Sequence, residues 1–176
     1  MFRVTRVLSV LVLCLSAPAS IAAQSAPDGY RLPYEIVKGY VTKAAEQVTE
    51  ADYAFKPTPD VRTFGQLVGH IANANFMICA AASGEKSPAA GDAEKLATKA
   101  EIQKALAASF AFCDKAWTAA AGPRAATPVD LFGMKFTGAS AMSFNTAHDW
   151  EHYGNIVTYM RLKGMVPPSS QGRGMN

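Results

Sequence analysis

Charge is sparse in this chain, and no run of one sign stands out. The 176 residues include 17 lysines and arginines against 14 aspartates and glutamates, which gives a formal net charge of +3. Two of the arginines, Arg3 and Arg6, lie at the very start, and without them the net charge falls to +1. Because no basic stripe remains, the chain lacks the electrostatic footprint of a nucleic-acid-binding protein. We therefore expect no nucleic-acid partner.

Long apolar runs are also scarce, since only one is present. It is VLSVLVLCLSA, which follows Arg3 and Arg6 and precedes the small residues of PASIAAQSA. This pattern is typical of a cleavable secretory signal peptide, and the run is too short to span a membrane stably. We predict a signal peptide at 1–23, cleaved between Ala22 and Ser25, and a single domain at 24–176. The mature chain is then periplasmic or secreted, without stable membrane insertion.

Cysteine is scarce too, and only Cys79 and Cys113 lie outside the predicted signal peptide. An oxidising compartment permits a disulfide between them. If they lie on consecutive antiparallel helices joined by a short loop, however, their positions are offset by more than ~10 Å along the helix axes. A disulfide needs α-carbons within roughly 7 Å. We therefore expect no bond between these two cysteines.

Strand-like patterns are nearly absent, and the one exception is VDLFGMKFT at 129–137. Apolar residues recur instead at helical spacing in four stretches. These run from Leu32 to about Tyr53, from about Thr63 to Ser83, from Thr98 through Trp117, and from about Ser140 to Gly164. The sequence thus predicts an all-α, antiparallel four-helix bundle, with a short hairpin or loop between the third and fourth helices.

The sequence contains neither a catalytic serine elbow nor a phosphate-binding glycine loop, which directs attention to its three histidines. His148 and His152 are four residues apart, so both rings lie on one face of the predicted fourth helix. That face also carries apolar residues and should point inward. His70 lies at the edge of the apolar stripe of the second helix. Three imidazoles from two helices could therefore meet inside the bundle.

Two interpretations of these histidines stay open on patterning alone. A lone histidine at the edge of a core is more often a hydrogen-bonded structural residue than a metal ligand. Uncoordinated buried rings, however, need partners for both nitrogens, because unsatisfied buried polar groups are costly. A divalent metal ion meets that need, since each ring gives one nitrogen to the ion and the other to a hydrogen-bond acceptor.

The pentapeptide HDWEH, from His148 to His152, also fits the H-x-x-E-H signature of one metallopeptidase class. Such an enzyme takes its third ligand from a glutamate well downstream. The 24 residues after His152 contain no aspartate or glutamate, so we interpret the match as coincidental. Glu151 then either flanks a metal site or is an ordinary solvated glutamate.

Two segments together resemble the DinB superfamily. They are FKPTPDVRTFGQLVGHIANAN and NTAHDWEHYGNIVTYMRLKGMVPPSS, and the likeness extends from about Pro33 to Ser169. The resemblance implies a four-helix bundle with a three-histidine metal site. Carried over by position, it assigns the ligands to His70, His148 and His152. The ion would be divalent, and zinc, nickel, iron and manganese all suit imidazole ligands.

The resemblance also implies an open metal site, because three imidazoles leave coordination positions free for water or substrate. Characterised relatives include transferases and isomerases that activate a small thiol. An exported chain departs from them, since such thiols are kept reduced mainly in the cytosol. Our leading hypothesis is an exported metal-dependent transferase or hydrolase that activates a water or thiol against a small-molecule substrate.

Two other hypotheses come from different classes: a non-catalytic metal- or ligand-binding bundle, and a structural helical domain with three hydrogen-bonded histidines. The sequence identifies no catalytic residue, although Glu151 and Tyr153 are candidates. Asn73, Asn145, Glu151 and Tyr153 are candidates for hydrogen bonds to the ligand rings. A homodimer is compatible with a bundle of this size, and the sequence does not decide it.

Overall fold

The computed structural model describes residues 26–172, with side chains described from residue 29. It contains four long helices and one β-hairpin. The helices are α1 (Ala26–Gln47), α2 (Phe64–Ser83), α3 (Lys99–Ala120) and α4 (Gly138–Leu162), and the strands are β1 (Pro128–Leu131) and β2 (Met134–Thr137). The predicted four-helix bundle with a hairpin between the third and fourth helices is confirmed. The predicted signal peptide lies outside the described residues.

Threonines fix where three of the helices begin. Thr63, Thr98 and Thr137 each cap the helix that follows, and each forms a capping box with the side chain three residues on. These boxes satisfy backbone N–H groups that the first turn leaves unpaired. The first helix was predicted from Leu32 to about Tyr53, whereas it begins at Ala26 and ends at Gln47. A separate 3-10 turn then covers Ala51–Ala54.

The helices α2 and α4 pack against each other in antiparallel directions. Tyr159, near the end of α4, donates from its hydroxyl to the backbone oxygen of Arg62, just before α2, at 2.8 Å. Gly138, at the start of α4, lies against Ala82 near the end of α2. This pairing is what brings the middle of α2 to the histidines of α4. The helices α1 and α3 are also antiparallel, with Gln103 donating to the backbone oxygen of Ala45 at 2.9 Å.

The consecutive helices α2 and α3 run parallel, and α1 and α4 do as well. Gly65 lies against Ile102 near the start of both α2 and α3. The antiparallel relation therefore holds for α2 with α4 and for α1 with α3. A parallel α2–α3 pair requires the connection 84–98 to run back along the length of α2 before α3 begins.

The expectation that Cys79 and Cys113 are unbonded was wrong. They form a disulfide whose α-carbons are 5.3 Å apart, and both residues are fully buried. The error came from assuming a short loop and an antiparallel α2–α3 pair. Because the connection 84–98 returns to the start of α2, the two helices advance side by side, and the two cysteines reach the same level.

The core is built from the inward faces of all four helices. Its largest fully buried side chains include Tyr34, Phe64, Ile71, Met142 and Ile156. The hairpin lies against α4, where Phe136 of β2 packs on Phe144 with ring centroids 5.3 Å apart. Within residues 26–172, no helix is long and apolar enough to cross a membrane.

Candidate metal centre

The structure brings His70, His148 and His152 together at the interface of α2 and α4. Each ring offers one nitrogen, and these nitrogens all lie within 4.8 Å of one another. The Nε2 atoms of His148 and His152 are 3.0 Å apart. The ring of His70 packs edge-on against His152, with centroids 4.7 Å apart, and lies 5.3 Å from His148. Antiparallel packing of α2 on α4 thus produces the cluster that the spacing suggested.

Glu94 orients the ring of His70 from outside the helices. It belongs to the 3-10 turn Ala93–Lys95 in the connection between α2 and α3. The Nδ1–H of His70 donates to Oε1 of Glu94 at 2.8 Å. That bond leaves the Nε2 lone pair of His70 free for a metal ion, the arrangement seen in carboxylate–histidine–metal triads. The second oxygen of Glu94 accepts a hydrogen bond from Nε of Arg62 at 2.8 Å.

The turn that carries Glu94 is fixed against α2 by two residues of that helix. The Asn73 amide donates to Asp92 at 2.7 Å and accepts from the backbone N–H of Ala93 at 2.9 Å. Gly69, next to His70, has no side chain, and a Cβ there would lie 2.5 Å from the backbone oxygen of Ala93. Only glycine therefore lets the turn approach α2 closely enough for Glu94 to reach His70.

Burial keeps two of the rings neutral. Desolvation, assisted by the neighbouring histidines, lowers the pKa of His148 to about 4. Burial and the His70 ring likewise lower the pKa of His152. Burial raises the pKa of Glu94, but its hydrogen bonds to Arg62 and His70 outweigh that effect and the net shift is downward. Glu94 is thus a charged carboxylate, and the rings of His148 and His152 are neutral with lone pairs available.

The donor set fits a divalent cation. Two neutral imidazole nitrogens 3.0 Å apart need a shared proton or a cation between them. The Nδ1 atoms of His148 and His152 are buried without a hydrogen-bond partner among the described residues, so only His70 has the acceptor expected for the second nitrogen of a ligand ring. Three imidazole nitrogen donors suit zinc, nickel, iron or manganese, and a site with three protein ligands leaves room for a further ligand.

A cleft of about 610 Å³ opens beside His152. It is large enough for a small molecule. Its walls come from the segment before α2, the first turn of α2, the Glu94 turn and the second half of α4. The residues that line it are Asp60, Val61, Arg62, Gln66, Leu67, Glu94, His152, Asn155 and Tyr159. One candidate metal ligand therefore faces a space open to solvent, which a closed structural metal site lacks.

The other residues singled out in the sequence make no hydrogen bond to the three histidine rings in the described part of the chain. Asn73 holds the Glu94 turn, and Asn145 is fully buried and donates to Asp149 at 3.3 Å. Tyr153 stacks on Tyr40 of α1, with centroids 5.2 Å apart, and its hydroxyl accepts from the backbone N–H of Ser169. Glu151 is exposed.

Sequence reasoning missed Glu94 and Arg62. Glu94 lies in a polar connection without periodicity, and its role depends on that connection returning along α2. One local signal was present, because a glycine inside a helix costs about 1 kcal/mol relative to alanine and so indicates a packing reason for its presence. Gly69, directly before His70, is such a glycine.

Fold and site together define a helical-bundle protein with a three-histidine cluster beside an open cleft. The sequence model of the DinB superfamily matches residues 34–156, and the chain belongs to that superfamily.

Two solved structures share the fold. One is a DinB-like protein from Bacillus cereus ATCC 10987, with 16% identity and a TM-score of 0.64, where the match covers 80% of this chain and 95% of that chain. The other is a DinB-like protein from Bacillus subtilis, with 23% identity and a TM-score of 0.54, covering 81% of this chain and 96% of that one. A search of curated proteins found no match.

Proposed function

We propose that this protein is a metal-dependent enzyme of transferase or hydrolase type that acts on a small molecule. The observation that carries the proposal is the convergence of His70, His148 and His152, with His152 on the wall of a solvent-open cleft. Membership of the DinB superfamily supports the same interpretation of the three histidines.

The three imidazoles would hold a divalent ion, which when bound lowers the pKa of a coordinated water or thiol and so supplies a nucleophile. Glu94 keeps His70 in the tautomer whose Nε2 faces the other two rings. Burial keeps His148 neutral at physiological pH. The cleft beside His152 gives a small substrate access to the site.

Metal analysis tests the site itself. Protein purified without a histidine tag should carry a near-stoichiometric transition metal, and the double variant His148→Ala/His152→Ala should lose it. Glu151→Gln is the matched control, because this exposed side chain lies between the two ligands on α4 and should not contribute to coordination. Equal and negligible metal in wild type and double variant would instead support a structural helical domain.

A substrate screen separates an enzyme from a non-catalytic binding protein. The metal-loaded protein is offered ester, amide and phosphoester hydrolase substrates, and electrophiles with a small thiol. Turnover that disappears in the double variant supports the enzyme. Metal retained without turnover on any class would favour a metal- or ligand-binding bundle.

We further propose that the chain is exported, with residues 1–23 acting as a signal peptide. The apolar run behind Arg3 and Arg6 supports this, and so does the buried disulfide, because disulfides persist mainly in oxidising compartments. Expression in a Gram-negative host followed by intact-mass analysis of the periplasmic fraction tests it. A mature chain starting between Ala22 and Ser25 is expected, and an uncleaved cytoplasmic chain would contradict the proposal.

A further inference from the structure

Hydrogen-bond donors on the walls of the cleft beside His152 are left without partners among the described residues. Arg62 uses only its Nε for Glu94, and neither Nη atom has a hydrogen-bond partner among the described residues. The side-chain nitrogens of Gln66 and Asn155 also lack partners within that part of the chain, although Gln66 accepts one bond through its oxygen. The side-chain nitrogens of these three residues are therefore free to donate hydrogen bonds to a ligand in the cleft.

One of the two carboxylates on the cleft walls, Glu94, already accepts two hydrogen bonds. Both oxygens of Glu94 are used, one by His70 and one by Arg62. The Tyr159 hydroxyl donates its hydrogen to the backbone oxygen of Arg62, so it adds no free donor to the cleft, although its oxygen can still accept. Asp60 is the remaining carboxylate on the walls, and it is exposed, so its field is screened by solvent. The free Nη groups of Arg62 therefore favour a ligand that accepts hydrogen bonds there and places a negative charge opposite the guanidinium.

Arg62 is held in place for such a ligand. Its Nε–H bond to Glu94 fixes one edge of the guanidinium, and the residue is still 44% exposed on the cleft side of the bundle. A guanidinium held through Nε keeps two parallel Nη–H donors, which match the two oxygens of a carboxylate. Lysine could not offer this two-nitrogen fork.

We propose that the substrate or ligand of this cleft carries a carboxylate, which Arg62 binds with help from the amides of Gln66 and Asn155. The rest of the molecule then lies toward His152. This inference rests on the proposed function in taking the cleft as the substrate site, but the Arg62 donors are present whether or not a metal is bound.

Matched acid and amide probes test the proposal. Benzoate with benzamide, and succinate with succinamide, are titrated calorimetrically into the mature protein, both metal-loaded and chelator-treated. At least one acid should bind more tightly than its amide. Arg62→Gln should weaken that acid by about 10- to 100-fold, the range for a lost charge-assisted hydrogen bond. Arg161→Gln, an exposed arginine outside the cleft, is the control and should bind the acid as wild type does.

Two further variants keep the test decisive. Arg62→Lys keeps the positive charge but loses the paired Nη donors, so its affinity for the acid should lie between those of wild type and Arg62→Gln. Circular dichroism shows whether Arg62→Gln is folded. If it is not, Arg62→Lys still tests the site. Asp60→Asn should leave acid binding unchanged or strengthen it. Acids that bind no better than their amides, or that bind Arg62→Gln as well as wild type, would overturn the inference.

The metal content of each variant keeps the two proposals separate. If the wild type carries no metal, the proposed function fails. The comparison of acid and amide binding to chelator-treated wild type and Arg62→Gln still tests whether Arg62 binds a carboxylate. If the wild type carries metal and Arg62→Gln retains it while losing acid affinity, the carboxylate site is supported independently of metal binding.

Discussion

Glu94 illustrates how one carboxylate outside the ligand set can determine the behaviour of a metal site. Its hydrogen bond fixes the tautomer and the ring orientation of His70. Arg62 holds the same carboxylate from the other side, so Glu94 cannot rotate away without losing two bonds. The position of His70 therefore depends on residues from two other segments of the chain.

Replacing Glu94 tests this dependence. Glu94→Gln removes the charge, and we expect metal affinity to fall by about 10- to 100-fold, the usual cost of losing such a partner. Competition titration against a chromogenic chelator measures it. Glu85→Gln, an exposed glutamate in the same connection, should bind metal as wild type does. Equal affinities for wild type and Glu94→Gln would show that His70 needs no carboxylate partner.

Among the structural elements, the connection 84–98 shapes the site because it returns along α2 and places Glu94 beside His70. Gly69 permits that return, since any Cβ there would overlap the backbone of Ala93. The Asn73–Asp92 hydrogen bond then anchors the turn that carries Glu94. A change that displaces this turn should affect both the stability of the bundle and its metal affinity.

Gly69→Ala makes that change with a single methyl group. Forced repacking should cost roughly 1–3 kcal/mol of unfolding free energy, and metal affinity should fall because Glu94 moves from His70. Gly39→Ala is the control, because nothing lies within 4 Å of a Cβ at that position on α1. It should be neutral or stabilising by about 0.5–1 kcal/mol, as expected for a helix interior. Urea unfolding and metal titration compare the two variants. Equal unfolding free energies and equal metal affinities would contradict the role given to Gly69 in the close approach of the turn.

The disulfide joins the parallel helices α2 and α3 and should stabilise the bundle. Cys79→Ala/Cys113→Ala opens a loop with a sequence separation of 34 residues. We expect the unfolding free energy to fall by about 2–4 kcal/mol. Urea denaturation measures this loss, and a reductant should destabilise the wild type but not the double variant. Insensitivity of the wild type to reductant, once the bond is shown to be reduced, would argue against a stabilising role.

The same connection explains what the sequence could and could not predict. Helical periodicity and capping residues such as Thr98 located the helices, and the four-residue spacing placed His148 and His152 on one face. The disulfide and Glu94 were missed for one shared reason. Both depend on α3 running parallel to α2, and helix periodicity carries no information about the direction in which the next helix returns.

At the scale of the whole molecule, the three histidines join the two helices that form one side of the bundle. His70 comes from α2, whereas His148 and His152 come from α4, and these helices contact each other along much of their length. An ion held between them exists only when both helices are packed. Metal binding should therefore stabilise the folded state by mass action, because the unfolded chain does not hold the three rings together.

The size of that stabilisation can be predicted. Free metal at 100 times the dissociation constant should add about 2.7 kcal/mol, which corresponds to a rise in Tm of roughly 5–10 °C for a domain of about 150 residues. Thermal unfolding of chelator-treated protein, with and without added zinc, nickel or manganese, measures the shift. Magnesium should give no shift, because it prefers oxygen ligands. The His148→Ala/His152→Ala variant should not respond to any of these ions, and an equal shift in that variant would mean that the metal binds elsewhere.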